Sequence, residues 1–338
     1  MKEKLSLFKT VMVLGALLLP FSLLAQNDVG ELFKSSPQDA AKLVDAYMNP
    51  LFKGMGLGLN SGWNNTAKTK SFLRFDLRVT ATGAFVPNKD KTYDVNSLGL
   101  QTISPVNPSI STGPTAFGNN AQGAKMQING AGANGQFNLP QGTGLKFAPS
   151  PQIQLTVGLP KNIDVSLRLV PNIGLGDDIG KIKQFGLGAK VEVLPLIMGK
   201  KDKLIPFDLA VALGFTNTTY TLPLDVNNGK YEQEVEVKFK GFQTEAIISK
   251  RILFFTPFAS VGYNSSNSSL KAIGTYDFQT AAGTATFTNP ISLKHDDISG
   301  LRASVGFQLN LSVVRVYTSY TQAEYGYLNA GLGIGIGK

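Results

Sequence analysis

The one grouping of residues that could carry out catalysis is His295, Asp296 and Asp297, which contains the only histidine of the chain. A histidine beside two carboxylates could activate a serine, as a lipid hydrolase would need, or bind a metal ion. The triplet directly precedes a predicted strand at 299–311, so we interpret it as solvated charge at the end of a loop. The acidic pair at 177–178 lacks the regular spacing of a calcium loop. We therefore expect no catalytic residues, no metal site, no cofactor and no enzymatic activity.

A second group of candidate residues consists of charges in the middle of predicted strands. Between Leu73 and Val79, apolar residues alternate with charged ones, and the same pattern returns at 163–169 and 301–311. Charges at mid-strand are costly against lipid but tolerable in a hydrated lumen, where opposite charges can pair across strands. Two interpretations stay open, an ion-paired network that fills a narrow barrel and a polar permeation path. The predicted lumen charges are Arg74, Asp76, Arg78, Asp164, Arg168, Lys190, Glu192 and Arg302.

This period-two pattern predicts an all-β fold, a many-stranded antiparallel sheet. Long strands, short turns that alternate with long polar loops, and aromatic residues near strand ends favour a transmembrane β-barrel over a soluble sandwich. We expect about twelve strands, within a range of 10 to 14, and both termini on the periplasmic side with the tight turns. Residues 51–338 would form the barrel, with long extracellular loops at 101–150 and 264–298. The predicted strands are 54–62, 71–85, 91–100, 151–159, 163–171, 183–194, 204–216, 235–248, 252–263, 299–311, 313–323 and 326–337.

Residues 26–50 follow a helical pattern instead. Ser36 can cap a helix, and Asn49-Pro50 is expected to stop it. Its apolar stripe needs a partner, and the predicted first and last strands carry alternating glycines at 54–58 and 331–337. We expect the helix to lie at the periplasmic mouth, against the seam between those strands, as a gate or plug. The stripe consists of Leu43, Val44, Tyr47 and Leu51.

Residues 1–25 have the pattern of an export signal. Lys2, Lys4 and Lys9 precede an apolar run at 11–24, and Ala25 is a plausible cleavage point. No later apolar stretch approaches the length of a spanning helix, so strands would have to cross the membrane. The formal net charge is +9, but without a run of basic residues, so we expect no nucleic-acid partner. The absence of cysteine excludes disulfides, thiolate metal sites and a cysteine nucleophile.

Two segments near the predicted helix also carry a resemblance. The runs Tyr47-Met48-Asn49-Pro50-Leu51-Phe52-Lys53-Gly54-Met55-Gly56 and Asn60-Ser61-Gly62-Trp63-Asn64-Asn65-Thr66-Ala67, with Pro206-Phe207-Asp208-Leu209, resemble a family of outer-membrane barrel proteins of Bacteroidetes whose function is not known. The resemblance implies a barrel and a lineage, with no catalytic residues to transfer. More loosely, the chain is similar to long-chain fatty-acid channels, which also combine an N-terminal helical segment with a barrel.

We therefore expect a protein of the cell outer membrane. One hypothesis is a channel or transporter for small solutes or hydrophobic molecules. The alternative is a non-conducting structural or interaction barrel, associated with outer-membrane or secretion machinery. The expected partners are outer-membrane lipids and a small solute or hydrophobic ligand, and the sequence leaves the oligomeric state open.

Overall fold

The chain folds into a closed antiparallel β-barrel, which confirms the predicted fold class. The structure is a computed structural model, and it describes residues 30–33, 35–176, 180–224, 229–280 and 283–335. The predicted export signal and the pair Asp177 and Asp178 lie outside the described residues. Within these residues the barrel wall has ten strands, β1 (Phe75–Phe85), β2 (Phe147–Leu159), β3 (Ile163–Gly176), β4 (Gly180–Glu192), β5 (Asp208–Leu224), β6 (Gln233–Ser249), β7 (Phe255–Thr280), β8 (Ile291–Leu311), β9 (Val314–Gln322) and β10 (Tyr327–Gly335).

Each strand pairs with the strands before and after it, and β10 closes the ring by pairing with β1. Tight turns follow β2, β6 and β8, and the backbones of Lys161, Asn162 and Ser312 adopt the left-handed conformation that such turns use. These turns and the 193–207 connection, which contains the short helix α2 (Leu194–Met198), define the short-turn end of the barrel. The opposite end, which carries residues 86–146 and the far ends of β7 and β8, is the long-loop end.

Side chains alternate between the two faces of the wall, except where the pairing of β3 with β4 and of β7 with β8 shifts register. On β1, Asp76, Arg78 and Thr80 are buried inside, whereas Phe75 and Leu77 are exposed outside. The outer face is apolar across many strands, because one row of register partners is apolar on eight neighbouring strands. That row runs through Val314, Ile334, Leu77, Leu155, Leu167, Leu187, Phe215 and Phe242.

The strand count is lower than expected because two predicted strands are wrong. Residues 54–62 lie mostly in a helix, since their glycines pack against the barrel wall from inside. Residues 91–100 form only a three-residue strand, Thr92–Asp94, and a 3-10 turn, Val95–Leu98. The predicted loop at 264–298 is also wrong, because β7 and β8 continue through most of it and Gly283–Thr288 pairs with the end of β7. The polar sequence there forms strands because neighbouring strands satisfy its backbone hydrogen bonds.

The N-terminal helix α1 (Pro37–Asn60) has 24 residues and lies inside the barrel. Ser36 caps it by accepting a hydrogen bond from the backbone N–H of Asp39 at 3.3 Å. The predicted end at Asn49-Pro50 is wrong, since the helix continues through Pro50. Proline removes one helical hydrogen bond, but the surrounding wall packs both halves of the helix and holds them together. At about 1.5 Å per residue, α1 is about 36 Å long.

Residues 86–146 fold over the long-loop end, and we call them the cap. They contain two small sheets, one of Thr92–Asp94 and Thr112–Pro114, the other of Ile103–Pro105, Lys125–Ile128 and Gln136–Asn138. The predicted loop at 101–150 is therefore ordered, and its last residues belong to β2. Buried apolar side chains of the cap join those of α1 in one core. Within the described part of the chain, no helix is both long and apolar enough to cross a membrane.

Candidate functional site

Residues 37–70, which we call the plug, pass through the barrel from the long-loop end to the short-turn end. At the first end, Asp39 contacts the cap, accepting from the backbone N–H groups of Gln101 and Thr102 at 3.0 and 2.6 Å. At the other end, the backbone N–H of Lys70 donates to the carboxylate of Asp164 at 2.8 Å, and Asp164 is the second residue of β3, directly after the tight turn. The plug therefore occupies the whole length of the lumen.

Two arginines of the wall bind the C-terminal end of α1. The guanidinium of Arg168 donates to the carbonyls of Leu59 and Ser61 at 2.8 and 2.7 Å. Arg302 donates to the carbonyl of Asn60 at 3.0 Å and pairs with Glu245. The last carbonyls of a helix lack partners within it and carry partial negative charge. The two arginines therefore provide hydrogen-bond donors for the last carbonyls of α1, which would otherwise be buried inside the barrel without partners.

Two further cations bind the extended part of the plug. Arg78 donates to the carbonyl of Trp63 at 3.3 Å and pairs with Asp76 at 3.2 Å. Lys190 donates to two plug carbonyls, those of Thr66 and Lys68, at 3.0 and 2.9 Å. The clamp residues are thus Arg78, Arg168, Lys190 and Arg302, and each binds the backbone of the plug.

The wall carboxylates complete the clamp by binding side chains and amides of the plug. Glu192 accepts from Lys68 Nζ at 3.0 Å and from the Thr69 hydroxyl at 2.7 Å. Glu245 accepts from the side-chain amide of Asn64 at 3.0 Å. The predicted charges that lie inside the barrel are therefore paired with each other or with the plug.

Trp63 anchors the plug at the level of the arginines. Its ring lies against Gly188 on β4 and Gly214 on β5, where an added Cβ would come within 2.6 Å of ring atoms. The guanidinium of Arg168 lies over the ring, 3.8 Å from its centroid. The wall glycines thus make room for the only tryptophan of the chain.

Three glycines let α1 approach the wall closely. A Cβ on Gly54, Gly56 or Gly58 would clash with Ala148, Ser266 or Ser150, respectively. Each glycine in a helix lowers helix stability by roughly 1 kcal/mol relative to alanine. Three glycines within five residues of α1 are therefore unfavourable on their own, and the close contact with the wall explains why they occur. This contact accounts for the period-two glycines that the sequence analysis assigned to a strand.

The structure places the predicted lumen charges on the inner face, with one exception. Asp76, Arg78, Asp164, Arg168, Lys190, Glu192 and Arg302 are all buried inside the barrel. The prediction that Arg74 faces the lumen is wrong, because this residue is exposed and precedes β1. Leu73 adopts a left-handed backbone with φ 60°, which breaks the alternation just before the strand begins.

The predicted position of the helix is also wrong. Its stripe, Leu43, Val44, Tyr47 and Leu51, packs at the long-loop end with apolar residues of the cap, instead of at the short-turn mouth. The glycine-lined inner face of β10 does not receive α1. An added Cβ at Gly331 would come within 2.6 Å of the ring of Tyr317 from β9, so a wall side chain fills this space.

The cap is fastened both to the plug and to the barrel rim. The Tyr47 hydroxyl donates to the carbonyl of Gln141 at 3.0 Å. Tyr325, between β9 and β10, donates to Asp90 of the cap at 2.7 Å. Burial, and then this hydrogen bond to a carboxylate, raise the pKa of Tyr325, so it stays a protonated donor.

The His295 triplet is divided between the two faces of β8. His295 Nε2 lies 3.2 Å from Asp45 of the plug, and its ring stacks on Phe52. Asp297 accepts from the hydroxyl of Ser268 at 2.8 Å. That serine hydroxyl is directed to a carboxylate instead of to the histidine, so this arrangement lacks the nucleophile–base hydrogen bond of a serine hydrolase.

Several plug contacts escaped the sequence analysis. The sequence analysis named Trp63 only as part of the run that resembles a barrel family. A single tryptophan in a glycine-rich segment could have indicated a residue that anchors this segment by packing. Lys68 and Lys70 lie between two predicted strands, and the sequence analysis gave them no role. Arg315, which pairs with Asp76, stands at the start of a short strand where the pattern is weak.

The fold and the lumen together define the class of protein, an antiparallel β-barrel whose lumen holds its own N-terminal segment. The chain belongs to a family of unknown function (DUF6588), whose model matches residues 1–336. No protein of curated function matches the chain.

The solved structures to which the chain is similar include outer-membrane β-barrels. Ail, the attachment invasion locus protein of Yersinia pestis, is 10% identical, with 79% of this chain and 100% of that chain covered and a TM-score of 0.26. The outer membrane protease OmpT from Escherichia coli is 11% identical, with 82% and 100% covered and a TM-score of 0.35. The translocator domain of the autotransporter NalP from Neisseria meningitidis is 9% identical, with 85% and 93% covered and a TM-score of 0.31.

Proposed function

We propose that this protein is an outer-membrane barrel that does not conduct in its resting state and that serves as a structural or interaction barrel. The outer wall supports the location, because large apolar side chains such as Leu301 and Val261, 82% and 63% exposed, cover it. A band of exposed apolar residues this extensive fits contact with lipid, since soluble monomers rarely expose large apolar patches. The expected export signal is consistent with this location.

The observation that carries the proposal is the course of the plug through the lumen. A permeation path would need continuous space, but α1 and residues 61–70 occupy it. Four wall cations hold the plug by its backbone carbonyls. Hydrogen bonds to charged groups contribute about 1.5–3 kcal/mol each, so displacing the whole plug would be costly.

The cap gives the protein a surface for interaction. Outer-membrane barrels have short periplasmic turns and longer extracellular loops. On that rule the short-turn end faces the periplasm, and the cap and the start of α1 face outward. The cap and the plug share one core, so the plug positions the cap as a rigid outward surface. This arrangement suits a role in binding at the cell surface.

A gated channel is the second candidate, favoured by the polarity of the wall behind the plug. Gln243 and Asn264 are fully buried register partners on β6 and β7, and their side-chain amides have no hydrogen-bond partner among the described residues. Such groups would be satisfied by water if the plug withdrew. A partner that pulled on the cap could in this way open a hydrated path.

Liposome swelling tests the claim that the barrel does not conduct in its resting state. Proteoliposomes with the intact chain are placed in isotonic solutions of sugars of increasing size. The interaction barrel predicts no swelling above that of empty liposomes, whereas size-dependent swelling would favour a channel that is open at rest. Heat-modifiable migration on gels, checked on the same sample, shows that the barrel is folded and inserted.

A further inference from the structure

The outer face of the barrel carries a patch of lysines above its apolar band. Lys183, Thr219, Lys238, Ser269 and Lys294 are successive register partners on the five neighbouring strands β4 to β8. The rows on either side belong to the same outward face. They are Lys181, Thr221, Glu236, Lys271 and Ser292 on one side, and Phe185, Asn217, Lys240, Asn267 and Asp296 on the other. We call these three rows the lysine patch.

The patch has a strong excess of positive charge. It contains six lysines and two acidic residues, Glu236 and Asp296. Only Lys238 forms an ion pair between described residues of the patch, with Glu236 at 2.7 Å. The other lysines are exposed and available for an anion. Along most of the barrel the outward positions are apolar, so this concentration of lysine is a local feature of one side of the wall.

Part of the patch is concave. A cavity of about 490 Å³ lies where the pairing of β7 and β8 shifts register between Ser266 and Asn267. Lys238, Lys240 and Lys294 line it together with one carboxylate, that of Asp296, and the remaining lining residues are Asn267, Ser268, Ser269 and His295. Three ammonium groups with a neighbouring amide and hydroxyl provide the charge and the hydrogen-bond donors that a phosphate group requires.

The height of the patch relative to the apolar band identifies the source of that phosphate. The next outward row toward the short-turn end contains Phe242, two residues from Lys240, and Tyr263 follows one row further. Leu301 is the register partner of Tyr263, and Val261 lies one outward row further toward the short-turn end. At about 3.3 Å per residue, the lysines stand within one or two side-chain lengths of this aromatic and apolar edge. That is the level of lipid headgroups, where aromatic girdles end and basic side chains meet anionic lipid.

We propose that the lysine patch binds the phosphate groups of lipids in the leaflet at the long-loop end of the barrel. This inference rests on the membrane location given under the proposed function. The binding is electrostatic and hydrogen-bonded at the headgroup, while the acyl chains lie against the apolar wall below. The patch covers one side of the barrel, so the protein would recruit phosphorylated lipid on that side only.

The test compares two triple variants of equal charge change in the full-length chain. The first replaces Lys238→Gln, Lys240→Gln and Lys294→Gln. The control replaces Lys161→Gln, Lys201→Gln and Lys250→Gln, which are exposed at the short-turn end. The protein is folded in neutral detergent, and its binding of bisphosphorylated lipid A, or of the same lipid after dephosphorylation, is measured by native mass spectrometry.

The proposal predicts that the wild-type chain prefers the phosphorylated lipid. It also predicts that the patch variant binds roughly tenfold or more weakly, that the control variant keeps its affinity, and that rising salt weakens the binding. Millimolar inorganic phosphate should displace little of the lipid. Equal binding of both lipids by the wild type, or equal affinities of the two variants, would overturn the proposal, and so would complete displacement by free phosphate.

Membrane fractionation of the same variants separates this inference from the proposed function. If the wild type and both variants are recovered in the outer membrane but bind lipid equally, only the patch assignment fails. If the wild type is recovered in a soluble fraction, the membrane location itself fails.

Discussion

The guanidinium of Arg168 lies 3.8 Å from the centroid of the Trp63 ring, while the same group donates to the carbonyls of Leu59 and Ser61. One wall side chain thus binds the helix end through its hydrogen bonds and the following segment through its π face. This relationship joins the helical and extended halves of the plug to a single strand of the wall.

Replacing Arg168 should lower the free energy of unfolding by a large amount, because this one side chain makes several contacts with the plug. Arg168→Met removes the guanidinium from two buried carbonyls, of which Leu59 keeps only the Thr216 hydroxyl at 3.4 Å, and it removes the cation over Trp63. We therefore expect a loss of about 3–5 kcal/mol in the free energy of unfolding. Arg168→Lys should restore only part of it, because an ammonium lacks the planar, forked geometry. Urea unfolding in micelles, followed by Trp63 fluorescence, measures both. Wild-type stability in Arg168→Met would contradict the clamp.

A side chain at Gly58 should separate α1 from the wall. In Gly58→Ala the new Cβ would clash with Ser150, and the helix must shift. We expect lower thermal stability and faster proteolysis of the plug. Adding Ser150→Gly should relieve the clash and recover most of the stability. Gly300→Ala, on β8 with no atom near the new Cβ, is the matched control. Failure of the double variant to improve on the single one would show that close packing is not the cause.

The two faces of β1 should respond differently to substitution. Leu77 belongs to the apolar outer row, so Leu77→Arg should cost about 2–4 kcal/mol if the residue lies near the middle of the bilayer. Thr80→Ala, on the inner face of the same strand, removes no contact with lipid and is expected to cost much less. Equilibrium unfolding in lipid vesicles gives the two values. Equal costs would mean that the outer row is not in contact with lipid.

The cap should loosen when its link to the plug is removed. Asp39 accepts three hydrogen bonds from Gln101 and Thr102, so Asp39→Ala leaves three donors without their acceptor. We expect the cap to be cleaved faster by trypsin near Lys125, with the barrel itself intact. Asp94→Ala, whose hydrogen bonds stay within the cap, serves as control. Identical digestion patterns for the two variants would argue against this link.

The orientation can be read from single cysteines, since the natural chain has none. Ser109→Cys places an exposed thiol in the cap, and Lys250→Cys places one at the short-turn end. A membrane-impermeant maleimide should label the first on intact cells and the second only after the outer membrane is permeabilised. The reverse pattern would place the cap in the periplasm.

The alternation of side chains could be predicted from the sequence because it is a local property. The assignment of Leu77 to the outside and Arg78 to the inside needs only the period-two pattern. The plug could not be predicted in this way, because Gly54, Gly56 and Gly58 also have a period of two while they lie on a helix. Their spacing is set by Ala148, Ser150 and Ser266, residues about a hundred or more positions away.

The arginines illustrate the same limit. The sequence indicated that Arg168 and Arg302 face a lumen, but it could not show what fills that lumen. Their partners are backbone carbonyls at the end of α1, which leave no mark in residue types. The predicted helix end at Asn49-Pro50 also hid these partners, because it moved the end of α1 ten residues away from them.

The most direct test of the account is single-channel conductance with the plug locked in place. Ser61 and Thr82 are hydrogen-bonded through their hydroxyls, so Ser61→Cys with Thr82→Cys should form a disulfide between the plug and β1 in this cysteine-free chain. The account predicts that the oxidised variant and the wild type both show no steady conductance in planar bilayers. Steady conductance that persists in the fully oxidised variant would contradict the claim that the plug closes the barrel.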